Sequence, residues 1–247
     1  MQDLLILYYE KDVAGRNIVK ILRENFNDLW IEGSRGEILY MEEWSFDEPS
    51  VCIVASRHKS ESRMPSLTVH SPGNFGKAKA GGSNRELSIA PALYLTDALE
   101  YLRENFSNLG YEISFEVTHH GPTAFDFPIM FIEVGSSGEQ WKDIKACKAV
   151  AETIGKLTEN KPDKLPVAIG FGGGHYCRKF SRVKDYALGH ICPKYNLPNF
   201  DEEMIQKMIS RTFPRPEFAL VEKKGLGKEK RRILNLLSKT ELELIYI

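Results

Sequence analysis

Short apolar runs alternate along this chain with segments whose apolar residues recur every three or four positions. The first run, Leu4–Tyr9, is continuous, which is typical of a strand covered on both faces. Asp12 then precedes apolar residues at helical spacing, which predicts a capped helix. Further strands are predicted over residues 50–56, 67–70, 128–134, 165–171 and 242–247. Helices are predicted over residues 91–106, 202–211 and 228–239. Another helix is predicted to follow a capping box formed by Ser136 and Glu139. The inner face of that helix carries Trp141, Ile144, Ala151 and Ile154.

One predicted strand, residues 111–118, alternates strictly between apolar and polar positions. Tyr111, Ile113, Phe115 and Val117 share one face, and Glu112, Ser114, Glu116 and Thr118 share the other. This period of two predicts a strand with one wetter face. By contrast, residues 77–87 are polar with two adjacent glycines, which predicts an exposed, mobile loop.

The alternation of strands and helices predicts an α/β fold, a three-layer α/β/α sandwich. No repeat or linker interrupts the pattern, so the interpretation is one domain over residues 1–247, with a possible small C-terminal extension over residues 198–247. Several Gly-rich loops follow strand ends, which is where open α/β sheets bind ligands.

Composition narrows the class of protein. The chain has 247 residues, of which 42% are hydrophobic and 27% charged, as in ordinary globular proteins. Its net charge is −1, so any nucleic-acid binding requires a local basic patch. Four dispersed cysteines favour a reducing compartment. Neither a signal-peptide pattern nor a membrane-length apolar run is present, which predicts a soluble cytoplasmic protein.

Histidine carries the strongest chemical signal. The chain has six histidines, none falls inside a predicted helix, and most lie at strand ends or in Gly- or Pro-containing loops. Imidazole titrates near neutrality and serves as acid, base or metal ligand. Any single histidine could simply cap a strand. That explanation is much weaker for four together: His70, His120, His175 and His190.

The segment 171–176 places three glycines, Gly172, Gly173 and Gly174, before His175. Glycine amides can form an anion-binding nest, beside which a histidine could attack or activate water. A plain tight turn is the alternative. Arg178 and Lys179 follow directly and favour a phosphate-bearing ligand.

Glu133 ends its predicted strand just before Gly135, where a carboxylate can orient a histidine or bind a metal. A solvated strand-end glutamate fits equally well. A metal site would need ligands from separate loops, since no metal-binding motif is present. His175 and Cys177, like His190 and Cys192, lie two residues apart and could converge, although coincidence explains that almost as well.

Residues 223–232 stand out from a neutral chain because they hold six positive charges and one negative charge. Such a cluster can follow a phosphate backbone, although a solvated helix face is the usual explanation. The glycine-spaced start of the segment favours nucleic acid.

Six segments together resemble the archaeal D-aminoacyl-tRNA deacylase family, which is shared with plants. They are DVAGRNI at 12–18, HSPGNFG at 70–76, EVTHHGPT at 116–123, FIEVGSS at 131–137 with Trp141, GFGGGHY at 170–176 and GHI at 189–191. The resemblance runs over nearly the whole chain. It implies hydrolysis of the ester between a D-amino acid and tRNA, and zinc as cofactor. It also implies a fold similar to phosphorylases and peptidyl-tRNA hydrolases, with a central mixed sheet flanked by helices.

An aminoacyl ester is already activated, so the enzyme needs positioned water and an oxyanion site. No G-x-S-x-G elbow is present, which disfavours a serine acyl-enzyme. The hypothesis is that His175 or His120 activates water, directly or through a metal held by His120, His175 and His190, and that Glu133 orients it.

The remaining candidates are assigned to binding. Asn74 and Phe75 are predicted to position the base or sugar of the substrate. The full set predicted to bind the substrate is His70, Asn74, Phe75, Ser136, Ser137, Gly172, Gly173, Gly174 and Lys179. Those predicted to neutralise tRNA phosphates are Lys77, Lys79, Lys223, Lys224, Lys228, Arg231 and Arg232. The chain is expected to act as a monomer.

Three alternatives stay open at this point: a peptidyl-tRNA hydrolase-like esterase, a nucleoside phosphorylase, and a non-catalytic tRNA- or nucleotide-binding module. The histidine count disfavours the last, because pure phosphate binders prefer Arg and Lys.

Overall fold

The computed structural model describes residues 4–247, which alternate between strands and helices. The strands are β1 (Leu4–Tyr9), β2 (Trp30–Ser34), β3 (Val51–Lys59), β4 (Ser66–His70), β5 (Ala90–Pro91), β6 (Glu112–Phe115), β7 (Ile129–Ser136), β8 (Val167–Phe171), β9 (Ala187–Cys192), β10 (Thr212–Phe213), β11 (Phe218–Val221) and β12 (Glu243–Tyr246). The helices are α1 (Val13–Asn25), α2 (Ala92–Phe106), α3 (Ile144–Glu159), α4 (Glu202–Ser210) and α5 (Lys230–Leu237).

Six strands form the central sheet in the order β2-β1-β3-β7-β4-β6. Neighbouring strands run parallel except β4, which is antiparallel to β7 and parallel to β6. The sheet is therefore mixed, as the family resemblance implies. The reversal at β4 brings His70 beside Phe131 in the middle of β7.

A second sheet has four parallel strands in the order β12-β11-β8-β9. The backbone links it to the first sheet: Cys177 N donates to Phe115 O at 2.9 Å, and Val117 N donates to His175 O at 3.0 Å. Residues 198–247, considered above as an extension, supply β11 and β12 to this same sheet. The loop after β8 is thus fixed against the end of β6.

Apolar faces hold the layers together. One core lies between helices α1, α2 and α3 and one face of the sheets, and includes Ile18, Leu99 and Ile154. On the other face, α4 and α5 cover the four-stranded sheet. These layers confirm the predicted α/β sandwich. In the described part of the chain, helices are too short or too polar to cross a bilayer.

The capping box predicted at Ser136 and Glu139 is wrong. Ser136 ends β7, and a 3-10 turn over Gln140–Lys142 comes before α3. Ser137 N donates to Gln140 Oε1 at 3.1 Å, which favours this tight turn over an immediate helix. Asp143 is the true cap and accepts from Lys145 N at 2.9 Å. Ile144, predicted to face inward, is 58% exposed.

Residues 77–87 are irregular, as predicted, but several hydrogen bonds hold them. Asn74 Nδ2 donates to Gly81 O at 3.0 Å, and Ser83 N donates to Thr123 Oγ1 at 2.8 Å. Gly81 has a φ of +75° and lies against the carbonyl of Leu39, where a Cβ would clash. The loop therefore has a defined position along the ligand cavity described below.

Candidate functional site

One face of the central sheet changes from apolar to polar along its strands. Val54 and Phe131 belong to the apolar core on this face. Two residues further along their strands lie Ser56 and Glu133, which are paired in register. The polar face predicted for β6 continues this surface, but it is buried: Ser114, Glu116 and Thr118 are at most 2% exposed. Buried polar groups are costly, so such a surface indicates a functional site.

Glu116 lies at the centre of this surface, surrounded by histidines. Its Oε1 is 3.0 Å from His58 Nδ1. Its Oε2 is 3.2 Å from His175 Nε2, 3.4 Å from His119 Nε2 and 4.0 Å from His70 Nδ1. These side chains come from β3, β4, the segment after β6 and the segment after β8. Parts of the chain that are far apart in sequence thus converge on one carboxylate.

Electrostatics divides these groups into charged and neutral sets. Burial alone would raise the pKa of Glu116, but the close approach of His175 and the positive charge of His58 lower it overall. Burial would lower the pKa of His58, but Glu133 and Glu116 raise it to about 10. Burial raises the pKa of Glu133. His58 is therefore an imidazolium held between two carboxyl groups.

A second set, His70, His119 and His120, consists of neutral imidazoles. Burial lowers the pKa of each, to about 4 for His119. His119 Nδ1 lies 2.8 Å from Val117 O, and His120 Nδ1 lies 2.6 Å from Gly121 O. Donation to these carbonyls leaves each Nε2 with a free lone pair. His120 Nε2 lies 3.1 Å from His70 Nε2.

This imidazole trio has the features of a metal site. Its three ligand nitrogens lie within 4.8 Å of one another. Metal-binding histidines usually donate their second nitrogen to a carbonyl or carboxylate, as His119 and His120 do. Across residues 4–247, His70 Nδ1 and both Glu116 oxygens are buried without a well-aligned hydrogen bond. A cation would compensate the buried carboxylate, and three imidazoles suit zinc.

A cavity of about 600 Å³ opens onto these groups, a size suited to a small ligand. Residues from the polar surface form part of its wall: His58, His119, His120, Glu133 and His175. Its other lining residues include Arg57, Lys59, Gly73, Asn74, Phe75, Gly76, Lys77, Lys79, Tyr195 and Asn196. Four basic side chains, those of Arg57, Lys59, Lys77 and Lys79, thus line the cavity together with the acidic Asp12 and Glu37.

His175 is the histidine best placed to act on a ligand. Its side chain is 35% exposed, whereas those of His58 and His70 are at most 5% exposed. Its Nε2 faces Glu116, and its Nδ1 makes no hydrogen bond within the described residues. His120, the other predicted base, has both ring nitrogens within hydrogen-bonding distance of protein atoms.

His190 does not join this cluster. It is fully buried, with Nδ1 3.0 Å from Thr118 Oγ1 and Nε2 2.9 Å from Ser88 O. Because protein atoms engage both nitrogens, His190 has no free lone pair for a metal. Its partners instead tie β9 to the segment after β6, and the predicted ligand set of His120, His175 and His190 does not assemble.

The three glycines before His175 do not form the predicted anion-binding nest in the cavity. Gly172 N donates to Cys192 O at 2.9 Å, and Gly173 lies against the carboxylate of Glu222. An adjacent carboxylate opposes anion binding. Gly172, Gly173 and Gly174 do not appear among the cavity-lining residues of the described chain. The positive φ of +112° at Gly172 and +79° at Gly173 turns the backbone after β8 toward His175.

Other predicted contacts are structural as well. Ser136 Oγ donates to Met64 O at 2.8 Å, and Ser137 bonds Gln140. Lys179 Nζ donates to Ile247 O at 3.1 Å. Phe75 lines the cavity but is 1% exposed and packs on Phe200. These side chains support the walls, as does Asn74 through its bond to Gly81.

The basic segment divides into structural and exposed residues. The Arg232 guanidinium donates to the carbonyls of Leu197 and Phe200 and pairs with Glu229. Lys223 Nζ lies 4.3 Å from the ring centre of Tyr246. Lys224, Lys228 and Arg231 are exposed, outside the cavity wall.

Sequence reasoning gave no chemical role to Glu116, His58 or His119. The alternation of β6 did place Glu116 on the polar face together with Thr118. Since Thr118 is followed directly by His119 and His120, a polar strand face leading into paired histidines was the available signal.

Comparison with known proteins gives a consistent result. A family model described as D-aminoacyl-tRNA deacylase matches residues 45–245. The chain is 37% identical over 265 residues to a D-aminoacyl-tRNA deacylase of Cenarchaeum symbiosum, covering 98% of this chain and 99% of that relative. It is 35% identical over 252 residues to one from Ignicoccus hospitalis, covering 98% of each. The crystal structure of a conserved protein of unknown function superposes with a TM-score of 0.90 at 25% identity, covering 98% of this chain and 94% of that one.

Proposed function

This chain belongs to the D-aminoacyl-tRNA deacylase family and hydrolyses the ester bond between a D-amino acid and tRNA, and we propose that the reaction takes place beside His175 and Glu116. The observation that carries this proposal is the buried Glu116 carboxylate, 3.2 Å from Nε2 of His175, whose ring lines the cavity and whose Nδ1 makes no hydrogen bond within the described residues.

His175 is the proposed general base. Glu116 beside Nε2 favours the proton on that nitrogen and leaves Nδ1 to accept one from water. The carboxylate also stabilises the imidazolium that forms when the proton is taken, as in other carboxylate–histidine pairs. The ester substrate needs no stronger nucleophile, so a positioned water molecule suffices.

Zinc is the proposed cofactor, with His70, His119 and His120 as the residues that would hold it. Bound there, it would supply Lewis-acid polarisation of the ester. The two backbone carbonyls behind His119 and His120 orient their rings for this role. Glu116 adds negative charge beside the site, at 3.4 Å from His119 Nε2.

The tRNA end is proposed to enter over the positive rim formed by Lys59, Lys77 and Lys79. Fixed positive charge attracts phosphates at a site where the chain as a whole is nearly neutral. The four cysteines are free thiols, in keeping with the cytoplasm, where charged tRNA is used. A monomer remains our expectation.

The test compares the wild type with His175→Ala on D-tyrosyl-tRNA. We expect kcat to fall by about 10²–10⁴-fold, the range for loss of a general base. Equal thermal melting of the two proteins checks the fold, and L-tyrosyl-tRNA checks substrate selectivity. Zinc content, measured in the same preparations and in His119→Ala, should fall in the latter variant alone. Undiminished turnover by His175→Ala would remove His175 from the reaction.

A further inference from the structure

Tyr195 is a large aromatic residue exposed at the edge of the catalytic cavity. It is 57% exposed and lines the same cavity as His119 and His175. No stacking with another ring and no hydrogen bond of its hydroxyl occurs within residues 4–247. A ligand that covers this ring would remove apolar surface from water, which favours binding.

The backbone beneath Tyr195 is firmly held. It belongs to a 3-10 turn, Lys194–Asn199, that begins after Pro193 and contains Pro198. The side chain of Leu197 is fully buried, and the Arg232 guanidinium donates to Leu197 O. Arg85 Nη1 donates to Asn199 O at 2.7 Å. Since this backbone is already ordered, binding of a ligand to the ring costs little conformational entropy of the protein.

The neighbours of Tyr195 suit a nucleotide. Asn196 also lines the cavity, is half-buried, and its amide makes no side-chain hydrogen bond in the described chain. An amide presents both a donor and an acceptor, which match the edge of a base. Lys77 and Lys79 line the same cavity and provide charge for phosphate.

We propose that Tyr195 is a stacking platform for an unpaired base at the 3′ end of the tRNA, and that the Asn196 amide bonds the edge of that base. Stacking on an aromatic ring beside positive charge is how proteins commonly hold single-stranded RNA. The proposal deepens the proposed function and rests on it, because the ester must lie at His175 while the base next to it reaches Tyr195. Phe75, the residue expected from sequence to contact the base, is too buried for this role.

Kinetics of Tyr195→Ala and Tyr195→Phe on D-tyrosyl-tRNA and D-alanyl-tRNA test the platform. Loss of one stacked base should raise KM about 10-fold for both substrates, with kcat within about twofold of wild type. Tyr195→Phe should keep the wild-type KM because the ring is retained. Tyr246→Ala is the matched control, since Tyr246 is 49% exposed on β12. A KM rise confined to D-tyrosyl-tRNA would mean that the ring contacts the amino acid, and would overturn the proposal.

Binding of an uncharged oligoribonucleotide ending in CCA separates this proposal from the reaction itself. We expect Tyr195→Ala and Asn196→Ala to weaken binding, and His175→Ala to leave it unchanged, by fluorescence anisotropy. If Tyr195→Ala binds the oligoribonucleotide as tightly as wild type does, the platform is excluded even when hydrolysis at His175 is established. If binding depends on Tyr195 but His175→Ala still hydrolyses ester, the catalytic assignment fails and the platform stands.

Discussion

The two faces of the central sheet are built from the same strands but serve different purposes. In β6, Ile113 and Phe115 point into the apolar core beneath the helices. On the opposite face, Ser114 and Glu116 are equally buried but polar, and Glu116 lacks a well-aligned hydrogen bond among the residues described. Packing on the first face stabilises the fold, whereas the second face buries the ionisable groups that carry the chemistry. Adjacent residues on one strand should therefore respond in opposite ways to substitution.

Glu116→Gln should give the largest effect on the catalytic face. Without the carboxylate, the His175 imidazolium loses its partner, and we expect kcat on D-tyrosyl-tRNA to fall about 10³-fold. The carboxamide keeps the shape, and Glu133 remains 3.4 Å from His58 Nδ1 as a partner for that imidazolium, so the free energy of unfolding should stay within about 1 kcal/mol of wild type. Kinetics and urea unfolding of the same preparation check both. A loss of free energy of unfolding as large as that expected for truncating a core side chain would contradict the difference between the two faces.

Leu67→Ala should give the reverse result on the apolar face. Leu67 is fully buried in the core under the helices, one position from Thr68 on the polar face. Its truncation leaves a cavity, so the free energy of unfolding should fall by about 3 kcal/mol. At a temperature where the variant is still folded, kcat should remain near wild type. Urea unfolding with parallel activity assays measures this, and Thr68→Ser serves as a mild neighbouring control.

His190→Gln should show how much free energy of unfolding the protein loses at low pH because this buried histidine, outside the cluster, excludes a proton. Burial lowers the pKa of His190 from 6.5 to about 4, so the unfolded chain binds a proton that the folded chain excludes in this range. Wild-type stability should therefore decrease as the pH falls from 6.5 to 4, and His190 should account for about 2 kcal/mol of that decrease. The variant should show a correspondingly shallower pH dependence in thermal melts. An unchanged slope would mean that His190 titrates normally.

Replacing Lys77 and Lys79 by alanine should give the smallest effect. These residues line the cavity, so we expect KM to rise about fivefold and the dependence of tRNA affinity on salt to become shallower. The paired control replaces Lys20 and Lys148, which lie on α1 and α3 in the helical layer, 75% and 61% exposed at their side chains. Equal salt slopes for the two double variants would remove the specific role of the cavity lysines.

Much of the fold followed from local pattern. The limits of β1 agree with its apolar run, and Asp12 caps α1 by accepting from Ala14 N and Gly15 N, as its position predicted. Five strands were missed: β2, β5, β9, β10 and β11. β5 and β10 have two residues each, and β9 has Gly189 and His190 in the middle of its apolar run. β2 is a half-buried edge strand containing Gly33, and β11 has four residues, so neither carries a long periodic signal.

The site was harder to predict than the fold. The gathering of imidazoles was expected from their positions at strand ends, and His120 and His175 do lie in one cavity. His190 shares the same sequence features, yet both nitrogens of its ring are hydrogen-bonded to protein atoms, Thr118 Oγ1 and Ser88 O. Arg232 likewise belongs to a basic run but holds the turn beneath Tyr195. Sequence position did not distinguish a side chain with a free polar group from one already bonded to the protein.

The sequence by itself determined most of the helices and the longer strands, because those periods come from backbone geometry within a few residues. Tertiary structure alone decided that β4 lies antiparallel between β7 and β6, which brings His70, Glu116 and Glu133 onto one surface. Strand order depends on burial summed over distant segments, and the meeting of His58, Glu116 and His175 depends on that order.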